Sequence, residues 1–287
     1  EMLKDIPESK LMIPKKIGKI RCQLYKLYTD NKYKDLIYYT NGFNGYLDNI
    51  CSIKNKMKNG MGRARFKGRF SNFGGMYYPG IVGDKKLNNI KLNNNIIITG
   101  VNASGKTTLL KTVLLNVILS QQIGCGFYKK AKLCVYDKIH CYLNIPDTNG
   151  RDSLFQAEAR RCKNIIDSVE EYPDKKHLCV FDELYSGTNP YEASATGYAY
   201  IQYMNKYKNV KFIITTHYLD MCEELLKSEN KNIKNHYMEA YYNENKKIVY
   251  TYKKKNGITK IKGGVEVLKN LNYPKIIVDN ATKLISE

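Results

Sequence analysis

The pattern of apolar runs predicts an α/β fold, with a layered, mainly parallel sheet flanked by helices. Two observations carry this expectation. Ile96-Ile97-Ile98-Thr99, Leu178-Cys179-Val180-Phe181 and the run 210–214 are short and almost wholly apolar, as strands buried on both faces are. Segments with helical periodicity alternate with them, at 106–119, 154–169, 191–206 and 219–226. Strand–helix alternation marks the crossover connections of a parallel sheet.

Taken in order, residues 1 to about 60 carry helical periodicity around a turn-prone segment, Thr40 to Gly45, and read as the tail of a helical region. From Asn49 to Gly83 there is no acidic residue. Inside that window Arg63-Ala-Arg-Phe-Lys-Gly-Arg-Phe70 alternates strictly, so an extended strand puts four cations on one face and Ala64, Phe66 and Phe70 on the other. Such a ribbon either binds phosphate or is an edge strand whose wet cations deter aggregation. The pattern alone leaves both open, with the edge strand favoured. After Tyr77-Tyr78-Pro79-Gly80 the strand–helix alternation begins. Beyond residue 229 a polar link precedes a hairpin-like pair, 237–242 with 247–252, and an amphipathic stretch, 265–286, broken at Pro274.

Lys plus Arg number 47 against 27 for Asp plus Glu, a net charge of +20. That surplus favours polyanionic partners such as DNA or RNA. It also fits the Lys-, Asn-, Ile- and Tyr-rich composition of an AT-rich coding sequence, whose extra cations stay on solvated faces. The eight cysteines are scattered without a CxxC pair, so reduced thiols in an intracellular compartment are expected. His140 beside Cys141, with Cys134 upstream, lacks the clustering of a zinc site. The longest apolar stretch, Thr108 to Ser120, is too short to cross a bilayer and is interrupted by Lys111 and Asn116; no signal peptide is visible. The chain opens at Glu1 rather than Met, which fits a piece of something longer.

Gly100-Val-Asn-Ala-Ser-Gly-Lys106-Thr107 is a complete GxxxxGK[ST] loop between an expected strand and an expected helix, the context this motif requires. Gly100 and Gly105 let the backbone curl so that successive N–H groups face phosphate oxygens. The phosphate-binding set comprises Gly100, Asn102, Ala103, Ser104, Gly105, Lys106, Thr107 and Thr108. Lys106 brings a compact cation to the β- and γ-phosphates, and Thr107 with Asp182 can ligate Mg²⁺. Leu178 to Phe181 leads into the pair Asp182-Glu183, whose second carboxylate can activate water. A third apolar run ends in Thr216-His217, and His217 is positioned to sense a γ-phosphate. Ser153 offers a hydroxyl at a helix start behind the turn Thr148-Asn-Gly150. A nucleotide on one such surface has its γ-phosphate half exposed, and a second subunit could cover it with that serine.

Asp182-Glu-Leu-Tyr-Ser-Gly-Thr188-Asn-Pro-Tyr-Glu-Ala followed by Thr216-His-Tyr218 closely resembles the MutS family. So do the Asn102-containing loop, Ser153-Leu-Phe155-Gln-Ala-Glu158, and Gly264 to Leu268 with Leu271 to Pro274. The resemblance implies a P-loop ATPase of ABC/MutS type, with a small antiparallel β element before the loop and a C-terminal helical dimerisation segment. It implies three regions: 1–70, the end of a helical lever; 71–228, the ATPase core; and 229–287, the dimerisation segment. It further implies Mg²⁺-dependent hydrolysis of ATP, with Glu183, His217 and Lys106 catalytic and Ser153 acting in trans on a second MutS-like subunit, simplest as a homodimer. The expected function is an ATP-switched clamp on double-stranded DNA, mismatched or branched, in mismatch repair or related DNA maintenance. The alternative is a virion-packaged or architectural DNA-associated protein, which would place it in a virus particle, nucleus or organelle. A transporter or chromosome-maintenance ATPase is disfavoured because no LSGGQ-like stretch is present. Ser186 stands where many family members carry Arg, and Tyr77-Tyr78-Pro79 lacks the charge of the family's basic-His-Pro element. Tyr77 or Tyr78 is the expected adenine neighbour. The chain contains no mismatch-reading domain.

Overall fold

The computed structural model describes residues 14–143, 153–228, 232–244, 247–261 and 263–286. It divides into two units, 1–59 and 60–287. The first holds α1 (Pro14–Thr29) and α2 (Asn31–Lys58). Asp30 caps α2 by accepting from the Lys32 N–H at 3.0 Å. The expected turn at Thr40 to Gly45 does not form, because α2 runs through it. Thr40 donates its hydroxyl to the Leu36 carbonyl at 2.7 Å, which satisfies it within the helix. Gly42 and Gly45 cost helix stability, about 1 kcal/mol each, without breaking the helix.

The second unit contains two sheets. The larger has the order β11 (Ile248–Asn256), β10 (Ile233–Tyr242), β4 (Asn95–Thr99), β9 (Val210–Thr215), β8 (His177–Asp182), β7 (Lys138–Tyr142). Every pairing in it is parallel except the β10–β11 hairpin. The helices are α3 (Lys106–Ile123), α4 (Leu154–Glu171), α5 (Pro190–Met204), α6 (Leu219–Lys227), α7 (Gly264–Asn270) and α8 (Lys275–Ser286). Period-two alternation divides the strands between two cores. Ile97, Cys179, Phe181, Phe212 and Ile214 face one core together with residues of α4, α5 and α6. Ile96, Ile98, Leu178, Val180 and Ile213 face the other, shared with α3 and the smaller sheet. Burying each such Ile or Val contributes about 1.5–3 kcal/mol, so these strands form the most secure part of the molecule.

The smaller sheet has the order β3 (Asn88–Lys91), β2 (Asn72–Met76), β6 (Lys130–Lys132), β1 (Gly62–Arg65), β5 (Cys125–Gly126). It differs from the simple antiparallel element expected. Two of its strands follow α3, and β1 pairs with β6 in parallel because that helix carries the chain across before it returns. The expected strand from Arg63 to Phe70 ends at Arg65. Beyond it the Gly68 N–H turns to the Leu133 carbonyl at 3.1 Å, and Phe66 is 44% exposed rather than on an inner face. Nor is β1 an edge strand, since β6 and β5 pair with it on either side.

All eight thiols are free, with Cys22 and Cys51 exposed. No helix among the described residues is long and apolar enough to cross a membrane. His140 stacks on His177, with ring centroids 5.3 Å apart and planes 5° from parallel. The Tyr172 carbonyl 3.0 Å from His177 Nε2 can only accept, so His177 Nδ1 is bare and takes the His140 Nε2–H at 3.0 Å. His236 accepts from the Lys254 amine at 3.2 Å through Nδ1. Burial, reinforced by neighbouring positive groups, pushes both His140 and His236 down to about 4 from 6.5. The unfolded chain therefore takes up these protons first. Stability is complete above about pH 6.5 and falls as pH drops towards 4. Thermal melts followed by circular dichroism should show a steep loss in that window, reduced in the His140→Gln/His236→Gln variant; an equally steep loss in the variant would exclude these histidines as its source.

Candidate functional site

The parallel register sets three strand ends side by side. Asp182 on β8 pairs with Thr215 on β9, and Ile98 on β4 pairs with Thr215 on its other side. The loop 100–105 leaves β4 and turns into α3. A side chain at Gly100 would meet Ser104 Oγ at 2.7 Å and Met238 Cβ at 3.2 Å, so the loop is tightly packed at that position. Gly105 has φ 94°, a left-handed conformation that favours glycine. Ala103 is also left-handed, with φ 61°. α3 opens without a side-chain cap, so its first N–H groups remain available to an anion. Ser104 is buried with its Oγ lacking a hydrogen-bond partner. Asn102 is exposed, and Thr107 and Thr108 are half-buried in the first turn of α3.

The Lys106 amine is 6% exposed and donates to the carbonyls of Gly100 at 3.1 Å and Val101 at 3.4 Å. It stands 3.8 Å from Glu183 Oε1 and 3.0 Å from His217 Nε2. Burial lowers its pKa, while Glu183 and Asp182 pull it back up. His217 Nε2 also lies 2.8 Å from Glu183 Oε1. One nitrogen cannot both accept from an ammonium and donate to a carboxylate. Donation to Glu183 is the shorter, charge-assisted choice, and that hydrogen bond, with Lys106 adding to it, lowers the Glu183 pKa. Glu183 is therefore ionised at neutral pH, and His217 lies between two charged groups.

Thr215 was not singled out from the sequence, yet its hydroxyl joins the acids. It donates to Asp182 Oδ1 at 2.5 Å and accepts from the Glu183 N–H at 3.2 Å. Glu183 has φ 54°, a strained conformation for a non-glycine residue, of the kind that concentrates at functional sites. Lys106, Asp182, Glu183 and His217 thus form one cluster. The uncapped amides, the buried amine and the unpartnered Ser104 hydroxyl suit a triphosphate, and Thr107 with Asp182 are of the right chemistry for its metal.

Residues 96–287 match the family profile of MutS domain V. The chain belongs to the MutS family. Among its relatives are the DNA mismatch repair proteins MutS of Persephonella marina, 29% identical over 202 residues, and of Listeria welshimeri, 29% identical over 194 residues. That of Bacillus pumilus is 30% identical over 195 residues. These matches cover 69%, 67% and 67% of this chain but 22% of each relative, so the chain spans about a fifth of the length of the MutS proteins it matches.

Ser153 stands apart from the Lys106 cluster. Among the described residues its hydroxyl accepts from the Gln156 N–H at 3.3 Å, while the Gln156 side chain accepts from the Ser153 N–H at 2.9 Å, a capping box opening α4. The turn Thr148-Asn-Gly150 and the adjoining Arg151 and Asp152 lie outside the described residues. Five residues beyond Ser153, Glu158 links α4 to the segment after the acidic pair. Only 2% exposed, it accepts from the Ser186 N–H at 3.1 Å, the Ser186 hydroxyl at 2.8 Å and the Gly187 N–H at 3.1 Å. A side chain on Gly187 would meet the Phe155 backbone nitrogen at 2.7 Å. In this MutS-family chain Ser186 completes a buried carboxylate cradle. Glu158→Gln exchanges one acceptor for a donor facing other donors, and should cost about 1–3 kcal/mol in urea unfolding; an unchanged midpoint would dismiss the cradle as a stabilising element.

Proposed function

We propose that this chain binds and hydrolyses ATP with Mg²⁺ and uses the nucleotide to control pairing with a second MutS-like subunit on DNA. The carrying observation is the single cluster of Lys106, Asp182, Glu183 and His217 at three adjacent strand ends. In this reading the first-turn amides of α3 and Lys106 hold the phosphates. Thr107 and Asp182 would hold Mg²⁺, which when bound neutralises charge between the β- and γ-phosphates. Glu183, kept ionised, takes a proton from the attacking water as its oxygen bonds to the γ-phosphorus and the bond to the bridging oxygen breaks, releasing ADP and phosphate. His217 exchanges its hydrogen bond with Glu183 for one to the γ-phosphate, so its position depends on the nucleotide state.

The base has a candidate pocket of about 350 Å³ beside Gly105, lined by Tyr77, Tyr78, Thr108, Met238 and Tyr252 among others. The Tyr77 ring is occupied by Lys85, whose amine lies 4.6 Å from its centroid, and by Phe127 edge-on. Tyr252 has φ 57°, is 42% exposed, stacks with Tyr250 at 6.1 Å between ring centroids and stands against Gly105. Asn88 clasps its backbone, donating to the Tyr252 carbonyl at 2.9 Å and accepting from the Lys254 N–H at 2.8 Å. This favours Tyr252, with Tyr78, over Tyr77 as the stacking partner.

The partner subunit is supported by what one chain leaves uncovered. Ser153 is exposed, and Leu271, Ile276 and Leu284 in the C-terminal helical segment are 65%, 70% and 75% exposed. Residues 60–256, which build both sheets, then act as the ATPase core rather than 71–228, α7 and α8 form the segment that embraces the partner, and the helices before residue 60 end a lever. DNA mismatch repair or related DNA maintenance is the corresponding biological role, since the relatives bear that name.

Glu183→Gln should abolish phosphate release while binding of a fluorescent ATP analogue persists; normal turnover would remove Glu183 from its role. Tyr252→Ala should weaken that binding about tenfold, from a stacking contribution of ~1–3 kcal/mol, and equal affinity would move the base elsewhere. A non-hydrolysable analogue should shift sedimentation towards dimer, and a strict monomer would refute the trans site.

A further inference from the structure

Two adjoining grooves outside the nucleotide cluster share Asn72 and Asn89 in their walls. The first, about 790 Å³, crosses the smaller sheet and is lined by Arg63, Arg65, Lys129, Lys130 and Lys132. The second, about 840 Å³, lies between β3 and the β10–β11 hairpin and adds Lys91, Lys234, Lys254 and Lys260. Asparagine amides intersperse these cations, and Glu223 is the one carboxylate lining either groove among the described residues.

Neither ordinary explanation for surface cations accounts for this. Edge guarding fits Lys91 and Lys254 on the edge strands β3 and β11, but not the cations of the first groove on β1 and β6, which are paired on both sides. Composition-driven drift would scatter lysines among acids, whereas here they converge on two connected walls almost free of acids. The sheet also makes room for them. A methyl at Gly74 would meet Lys130 Cγ at 2.9 Å and Cε at 3.0 Å, and one at Gly75 would meet Lys129 Cγ at 3.0 Å. The glycine pair thus lets both lysine stems lie flat across β2. Lys254, half-buried beside His236, is held below its usual pKa by desolvation, and an anion in the groove would relieve that cost.

We propose that the double groove is a track for the phosphodiester backbone of duplex DNA. This rests on the DNA-associated reading above and gives it a surface within this chain. The track neutralises phosphates without reading bases, so its affinity is set by charge count and salt.

The test is fluorescence anisotropy of the full chain with a labelled duplex of about 30 base pairs, between about 50 and 200 mM salt. For Arg63→Gln/Arg65→Gln/Lys130→Gln/Lys132→Gln, with an unchanged melting temperature, the dependence of log affinity on log salt should flatten by about 3–4, at about 0.9 per phosphate contact. Affinity near 100 mM salt should fall at least tenfold. Lys130→Gln alone should flatten the slope by about 0.9. A matched loss of charge on α1 and α2, Lys26→Gln/Lys54→Gln/Lys56→Gln/Lys58→Gln, should leave most of the binding. Equal loss from that control would trace binding to net charge and overturn the track, as would poly-glutamate displacing DNA charge for charge. Wild-type binding that the groove variant fully retains refutes the track and leaves the DNA reading intact. No wild-type binding at low salt refutes both.

Discussion

The site depends on one constraint, the parallel register that carries β4, β9 and β8 to a common level. With β9 between the other two, a single threonine at its end reaches both acids: Thr215 donates to Asp182 and accepts from the backbone of Glu183. That pair of bonds holds Glu183 in a left-handed conformation, from which its carboxylate meets His217 and Lys106. Because the strands are buried on both faces, a slip of register would move whole rows of isoleucine and valine out of their cores. The hydrophobic layers therefore fix the chemistry indirectly, by fixing the register.

A second link runs through Glu158. This buried carboxylate on α4 accepts three donors from Ser186 and Gly187, so the helix that begins with Ser153 is joined to the segment following Asp182 and Glu183. A change at the acidic pair can thus pass to α4 through a charged, desolvated contact, which is stiffer than surface packing. Under the proposed completion of the site by a second subunit, this gives a physical route between the acidic pair and Ser153.

The charge of +20 has a spatial meaning that its total does not convey. Cations from β1, β3, β6 and β11, far apart in the chain, meet in the walls of two connected grooves. The same proximity of the two sheets that builds these grooves also brings Tyr252 to Gly105, where the β10–β11 irregularity turns it towards the start of α3.

Much was determined by the sequence alone. The three buried strands, the helices between them, the phosphate loop and the acidic pair are local: each follows from a run of β-branched residues, a glycine needed where a chain turns sharply, or a carboxylate pair ending an apolar run. The C-terminal hairpin and the break at Pro274 were legible for the same reason. Local pattern failed where a distant partner decides. Gly42 and Gly45 suggest a turn, yet α2 continues through them. Arg63 to Phe70 alternates like one strand, yet Gly68 leaves for Leu133. Thr215, Glu158 and Tyr252 acquire their roles only when strands from opposite ends of the unit lie side by side, since a hydroxyl, a carboxylate or a ring carries no sign in sequence of the donor or glycine it will meet. Residue types set the chemistry available; strand order and register, fixed by burial, chose which of those residues stand within bonding distance.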